Sequence, residues 1–372
     1  MSDITHGSYL PQDVRFLLTP LNRQDVGDID PTQKEHLIQS GQMHYSQMLT
    51  LERPVSDAHF ALYQDALHRY GKRMASDIHN LAQTLFTVFA QTDKPLILVS
   101  LVRAGLPLGV LLQRAFADPF APYHRPSQHY GISIIRDKGI DAHALRHICD
   151  THPDSPIVFV DGWTGKGAIF GELEVSLANF SADNPQSHKQ IYHQGDGVIP
   201  LVVLADPAGV AWLSGSDDDW LIPSSLLNST VSGLVSRTLY RADGFHGCIY
   251  YDEFNDIDQS LNFVNAIDTL RKSLHTPAHI LPLYAKPRFS TQPLIRELAT
   301  MYAIDNDNRI KPTIAEATRA VLRRQPECVL LCEYNEDTQL LQHLCQEKGV
   351  AINIQDIRPY QAITLIKKRQ SQ

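Results

Sequence analysis

Four short apolar runs between residues 95 and 210 constrain the fold of this 372-residue chain more than any other feature. They are "PLILVSLVRAG", "HYGISIIRD", "PIVFVDG" and "GVIPLVVLADPAG". The first three are followed by helix-like segments, "LPLGVLLQRAF", "DAHALRHICDTH" and "AIFGELEVSLANF". Buried strands that alternate with helices belong to parallel sheets covered on both faces. The expected fold class is therefore α/β, a doubly wound, mostly parallel sheet. Such sheets bind ligands beyond the carboxyl ends of their strands. That rule places Ser100–Gly105, Asp161–Ala168 and Asp206–Gly209 along one rim.

The flanks read differently. The first 90 residues look helical, with "DPTQKEHLIQSG" capped by Asp and closed by Gly, and a long pattern over 56–91 that Gly71 interrupts. Residues 211–253 are irregular, and "NDIDQSLNFVNAIDTLRKSL" closes the segment as a helix. "HTPAHILPLYAKPRFSTQP" carries four prolines and reads as a linker. Beyond it lies a small α/β unit: helix "TIAEATRAVLRRQ", strand "ECVLLCEY", helix "NEDTQLLQHLCQEKG", strand "VAINIQDI" and a short helix "PYQAITLIKK". The domain boundaries expected are 1–274, a linker at 275–293, and 294–372.

Composition narrows the function classes. Formal net charge is −8, which disfavours the whole chain as a nucleic-acid binder. From Lys311 onward nine Lys/Arg face seven Asp/Glu, leaving that end at roughly +2. No run reaches the roughly 18–20 apolar residues of a membrane span. No signal peptide is visible, and the five cysteines form no disulfide framework, so a reducing cytoplasm is expected. The 17 histidines show no metal-site spacing.

The chemistry concentrates in "PIVFVDGWTGKGAI". A buried strand carries Asp161 to the sheet edge, and the glycines after it let backbone N–H groups turn toward an anion at a helix N-terminus. Thr164 and Lys166 add a hydroxyl and a positive charge. Spacing excludes the Walker and dinucleotide patterns. A tight turn that binds nothing is the competing reading. A second rim loop, "SLVRAGLPLG", offers Arg103, whose guanidinium can grip a pyrophosphate; a plain salt bridge is its alternative.

These two loops resemble those of type I phosphoribosyltransferases. The resemblance covers roughly residues 90–210 and departs at Gly162, where that family usually has a second acidic residue. The whole arrangement resembles bacterial proteins encoded with tellurite-resistance and stress genes, which join a phosphoribosyltransferase-like domain to a C-terminal Pelota-type RNA-binding domain. Some members are labelled cysteine proteases. The supporting stretches are "GSYLPQDVRFLL", "HYSQML", "VDGWTGKGAI" and "SRTLYRADGFHG", with the C-terminal unit resembling the Pelota and kink-turn-binding fold.

The resemblance implies a phosphoribosyltransferase that uses phosphoribosyl pyrophosphate and Mg²⁺ on an unknown acceptor. It implies Asp161, Arg103 and Asp206 as catalytic residues and Asp161 at the metal. Ser100, Arg103, Ala104, Gly105, Asp161, Gly162, Thr164, Gly165, Lys166 and Gly167 would bind the phosphoribosyl pyrophosphate. RNA would meet Arg319, Arg323, Arg324, Lys367 and Lys368. A homodimer is one open expectation. "PYHRPSQHYG" is expected to close over the site, with Asp137 a further candidate near the nucleophile. Polar clusters at His44, Tyr45 and Glu52, and at Asp243, His246 and Tyr250, would shape a hood. Two rival classes remain. One is a phosphoribosyl pyrophosphate or nucleotide sensor coupled to RNA. The other is a cysteine peptidase built on Cys248 beside His246, against which a small buried thiol is the plainer reading of Cys248.

Overall fold

The computed structural model describes residues 5–26, 29, 37, 48, 49 and 52–367. The helix expected at 30–41, apart from residue 37, and His44, Tyr45 and Lys368 lie outside the described residues.

The chain enters through two short strands, β1 (Arg15–Phe16) and β2 (Thr19–Pro20). Helix α1 (Asp57–Val88) follows, its first turn capped by the Ser56 hydroxyl, which accepts from His59 N–H at 3.3 Å. It runs unbroken through Gly71. Packing of Tyr63, Met74, Ile78 and Leu81 into the core overrides the weak helix propensity of one glycine.

The alternating region then unfolds as expected. Strands β3 (Leu96–Val102), β4 (Ser127–Ile135), β6 (Ile157–Trp163), β7 (Leu201–Ala205) and β8 (Leu213–Ser216) form the centre of a seven-stranded sheet. Helices α2 (Leu106–Ala117), α3 (Ala142–Thr151) and α4 (Ala168–Asp183) connect them, and β5 (Gly139–Ile140) folds back on β4. The order is β1-β4-β3-β6-β7-β8, parallel throughout except for β5. Helices α1, α2 and α5 (Ser260–Lys272) pack on one face and α3 and α4 on the other. Successive strands are added on opposite sides of β3, so the order reverses between β3 and β6. That reversal opens a crevice at their carboxyl ends. Residues 211–253 hold little regular structure beyond β8 and β9 (Gly247–Cys248), which pairs with β2.

"PYHRPSQHYG" is not a lid. It leads into the amino end of β4, opposite the rim, with Tyr123 and Arg125 buried. Tyr123 accepts from Arg271 there and meets His79 at 2.9 Å, so the segment is locked into the core.

The C-terminal unit has helix α6 (Gln292–Met301), β10 (Ile310–Pro312), α7 (Ile314–Arg323), β11 (Pro326–Leu331), α8 (Gln339–Lys348), β12 (Ala351–Ile354) and β13 (Ala362–Ile366). Its sheet runs β10-β13-β11-β12. The segment "PYQAITLIKK" is a strand, not the short helix expected. Its β-branched Ile363, Thr364 and Ile366 suit the sheet interior, where β13 pairs antiparallel with both β10 and β11. The proline-rich connection is strapped down: Tyr284 N–H donates to Trp212 O, Arg288 N–H to Gly209 O and Ser290 N–H to Ala208 O. Among the described residues no helix is long and apolar enough to cross a membrane.

Candidate functional site

The rim loops after β3 and β6 press against each other. A Cβ on Gly105 would stand 2.1 Å from Val160 O, so only glycine lets α2 start there. The side chains expected to hold a ligand are instead engaged by the protein. Ser100 Oγ donates to Gly105 O at 3.0 Å and meets His129 Nε2 at 2.7 Å, all fully buried. Thr164 Oγ1 donates to Asp206 at 2.6 Å.

Asp206 also accepts from Val210 N–H, Ala211 N–H and Arg288. With these donors around it the carboxylate holds the β7 turn. Asp137 lies beside the end of the β6 loop, near Ala168. Its N–H donates to Glu172, and it lines an open depression with Arg136, Ala168, Gly171, Val175 and Asn308.

Asp161 ends up buried, with Oδ1 accepting from Gly162 N–H at 2.8 Å. Burial pushes its carboxyl up to about 7, against the pull of that N–H and of Arg319. No cluster of three or more metal-ligating side chains occurs among the described residues.

The C-terminal unit closes this rim. Lys166 reaches across to donate to Asp307 O and, at 3.2 Å, to Ile310 O. Burial lowers that ammonium to about 8. Tyr360 donates to Gly165 O at 2.8 Å and accepts from the Thr291 hydroxyl at 2.6 Å. Asp219 accepts from Ile314 N–H through both oxygens at 3.1 Å and from Gln361 N–H at 2.9 Å. The Asp219 carboxylate therefore sits on the positive end of α7.

The arginines named for RNA face this seam. Arg319 donates to Ser225 O and Leu227 O, and its guanidinium lies 4.7 Å from the centre of the Trp163 ring. Arg323 donates to Asn228 Oδ1 and lies 3.7 Å from Glu52 Oε1. Arg324 follows at the C-terminal cap of α7 and adds its charge to the neighbourhood of Lys166. Lys367 is exposed beyond β13, its N–H donating to Gln325 O.

Glu52 is the hub. Its Oε1 pairs with Arg103 at 2.6 Å and its Oε2 accepts from Ser229 N–H at 2.9 Å. Burial raises its pKa, but Arg103, Arg323 and Ser229 more than offset that and hold it at about 2. Arg103 spends its remaining reach on Val235 O at 3.0 Å. Asp243 is exposed, whereas His246 is buried with Nδ1 2.8 Å from Ser133 Oγ. Tyr250 is half-buried, joined to Val235 by an isolated β-bridge.

Sequence reasoning named Arg103, Asp161, Lys166 and Glu52 but missed Asp219 and Tyr360. The acidic run Asp217–Asp218–Asp219 ahead of the apolar "WLIP" was the available signal for the first.

Two family descriptions match the chain. "Tellurite-like stress resistance cysteine protease StiP" matches residues 7–268, and "PELOTA RNA binding domain" matches residues 289–368. The chain is also 44% identical over 381 residues to cysteine protease StiP of Acinetobacter baylyi (strain ATCC 33305 / BD413 / ADP1), covering 97% of this chain and 94% of that protein. These findings overturn the expected pentosyltransferase: the relative and the family are named for proteolysis, not for transfer from phosphoribosyl pyrophosphate. The sensor alternative gains nothing from them. Arg103 and Lys166, the two cations expected at the phosphates, are both engaged within the protein.

Proposed function

We propose that this chain, which belongs to the tellurite-like stress resistance cysteine protease StiP family, cleaves peptides through the Cys248 thiol and contacts RNA through its C-terminal unit. The peptidase part comes from the relative's name. The carrying observation for the residue is electrostatic. Of the two cysteines within the matched segment 7–268, Cys149 and Cys248, Cys248 has the Arg103 guanidinium in its neighbourhood, whose charge opposes the burial that dominates and pushes its thiol up. Thiolates are the nucleophilic form and are favoured beside such charge.

His246 lies two residues earlier in the chain, its Nδ1 2.8 Å from Ser133 Oγ, and burial lowers its pKa, which favours the neutral imidazole that takes a proton. In cleavage the thiol would pass its proton to imidazole and attack the scissile carbonyl. The proton would then go to the leaving amine, and water would release the acyl group. In the arrangement described, burial pushes the Cys248 thiol up to about 12, and its side chain is fully covered. The chain is therefore latent in this reading and works only after the cover moves.

The scaffold under this chemistry is of phosphoribosyltransferase type in our reading. The strand order about β3 and the turns at Ser100–Gly105 and Asp161–Gly167 support that fold. RNA contact is supported by the match over 289–368. The test is cleavage of a denatured protein substrate by wild type, Cys248→Ala and Cys149→Ala. Loss in the first variant alone supports the assignment. Retained cleavage in Cys248→Ala refutes it.

A further inference from the structure

Three of the groups with which the C-terminal unit would meet a polyanion, the N-terminus of α7, Arg319 and Arg323, are engaged by the first domain. The N-terminus of the ten-residue helix α7 carries the Asp219 carboxylate. Arg319 is held by two carbonyls and the face of Trp163. Arg323 is held by Asn228 and lies beside Glu52. Carboxylates, carbonyls and a flat aromatic ring offer these groups what phosphates and bases offer them in RNA.

The same seam is imperfectly matched. Ser225 Oγ, Ser229 Oγ, Trp220 Nε1 and, on α7 itself, Thr318 Oγ1 are buried without a hydrogen-bond partner. These residues are 2, 1, 4 and 1% exposed. Buried polar atoms left unpaired penalise the closed arrangement and mark a contact that other partners can replace.

We propose that the first domain stands in for RNA, with Asp219, Glu52 and Trp163 on the face of α7, so that closure and RNA binding exclude each other. The proposal rests on reading the C-terminal unit as RNA-binding. RNA that takes the α7 N-terminus, Arg319 and Arg323 must first displace Asp219 and Glu52, and the intact protein binds RNA only in its open fraction. Apparent affinity is then lowered by that fraction. The converse follows by linkage: RNA holds the seam open.

The experiment uses the full chain and a fluorescein-labelled stem–loop RNA, read by anisotropy. Asp219→Asn combined with Glu52→Gln keeps the shape of both side chains and replaces each carboxyl group by a neutral amide. The double variant is expected to bind the RNA about tenfold more tightly than wild type. A second measurement needs no substitution. Hydrogen exchange on wild type should show faster exchange in residues 219–229 and 161–167 when RNA is added. Equal affinity of wild type and variant, with the seam still protected in the RNA complex, overturns the proposal and leaves RNA binding intact. Absence of RNA binding by either protein removes the RNA reading itself, and the proposal with it.

Discussion

Arg103 and Glu52 form a 2.6 Å ion pair at the carboxyl end of β3, with side chains 9 and 14% exposed. The pair joins a rim loop to a segment about fifty residues earlier in the chain, and Arg323 of the C-terminal unit shares the same carboxylate oxygen.

Breaking this pair from one side leaves Glu52 with only Arg323 at 3.7 Å and the Ser229 N–H. Arg103→Ala is expected to cost up to about 3 kcal/mol of stability, the low end of the penalty for removing one partner of a buried pair. Arg103→Met with Glu52→Gln should cost clearly less than Arg103→Ala alone. Urea midpoints of the three proteins check this, and additive losses would contradict it.

The buried acids set a pH profile. Asp161 and Asp219 are each pushed up to about 7 by burial. The folded chain therefore keeps protons on these two carboxyls that the unfolded chain releases near pH 4, and the stability they contribute is lost as pH rises from about 4 to about 7, outweighing the opposite contribution of buried His129, whose pKa is lowered to about 4. Lys166 runs the other way. Its folded pKa is about 8, below the value near 10.5 of a free lysine, so the unfolded chain holds the extra proton and stability climbs again above pH 8. The melting temperature should pass through a shallow minimum between pH 7 and 8. A monotonic rise from pH 5 to 7 would contradict the assignment.

Two rim glycines should respond differently to alanine. At Gly105 the added Cβ meets the Val160 carbonyl at 2.1 Å, and a strand backbone cannot yield. Loss of about 3 kcal/mol or of soluble protein is expected. At Gly165 the nearest atom, at 2.5 Å, is a carboxylate oxygen of Glu316. That side chain can swing away, so Gly165→Ala should fold with a smaller loss, within about 1.5 kcal/mol.

The thiols should be alkylated in order of access. Cys332 is half-buried, while Cys149, Cys248, Cys328 and Cys345 are buried. Native protein treated with iodoacetamide should therefore label first at Cys332, read by peptide mass. Early labelling of Cys248 would mean that the thiol is already uncovered in the resting protein.

The parallel sheet was legible because its strands are buried on both faces and so read as bare apolar runs. The rim loops were legible because strands end there in Gly, Asp and Arg. What fills the loops was not. Glu52 pairs across about fifty residues and Asp219 across nearly a hundred, and no local pattern announces such partners. Arg319 and Arg323 were visible as a basic face, but a helix periodicity does not say whether that face meets solvent or another domain. The misread β13 failed for another reason. "ITLI" is too short for period to decide between helix and strand, and only its β-branched content pointed to a strand.

The strap leaves the C-terminal unit almost no slack. Backbone bonds hold the chain to the first domain as far as Ser290, and α6 begins at Gln292. Any separation of the two units is thus a lever turning on Thr291, whose hydroxyl is already tied to Tyr360. Points near the pivot move least, and Arg323 lies about 14 Å along α7 from Ile314. The grip on Glu52 is then the first to slip and the Tyr360 contact with Gly165 the last, so the wedge admits a partner from the Arg323 end.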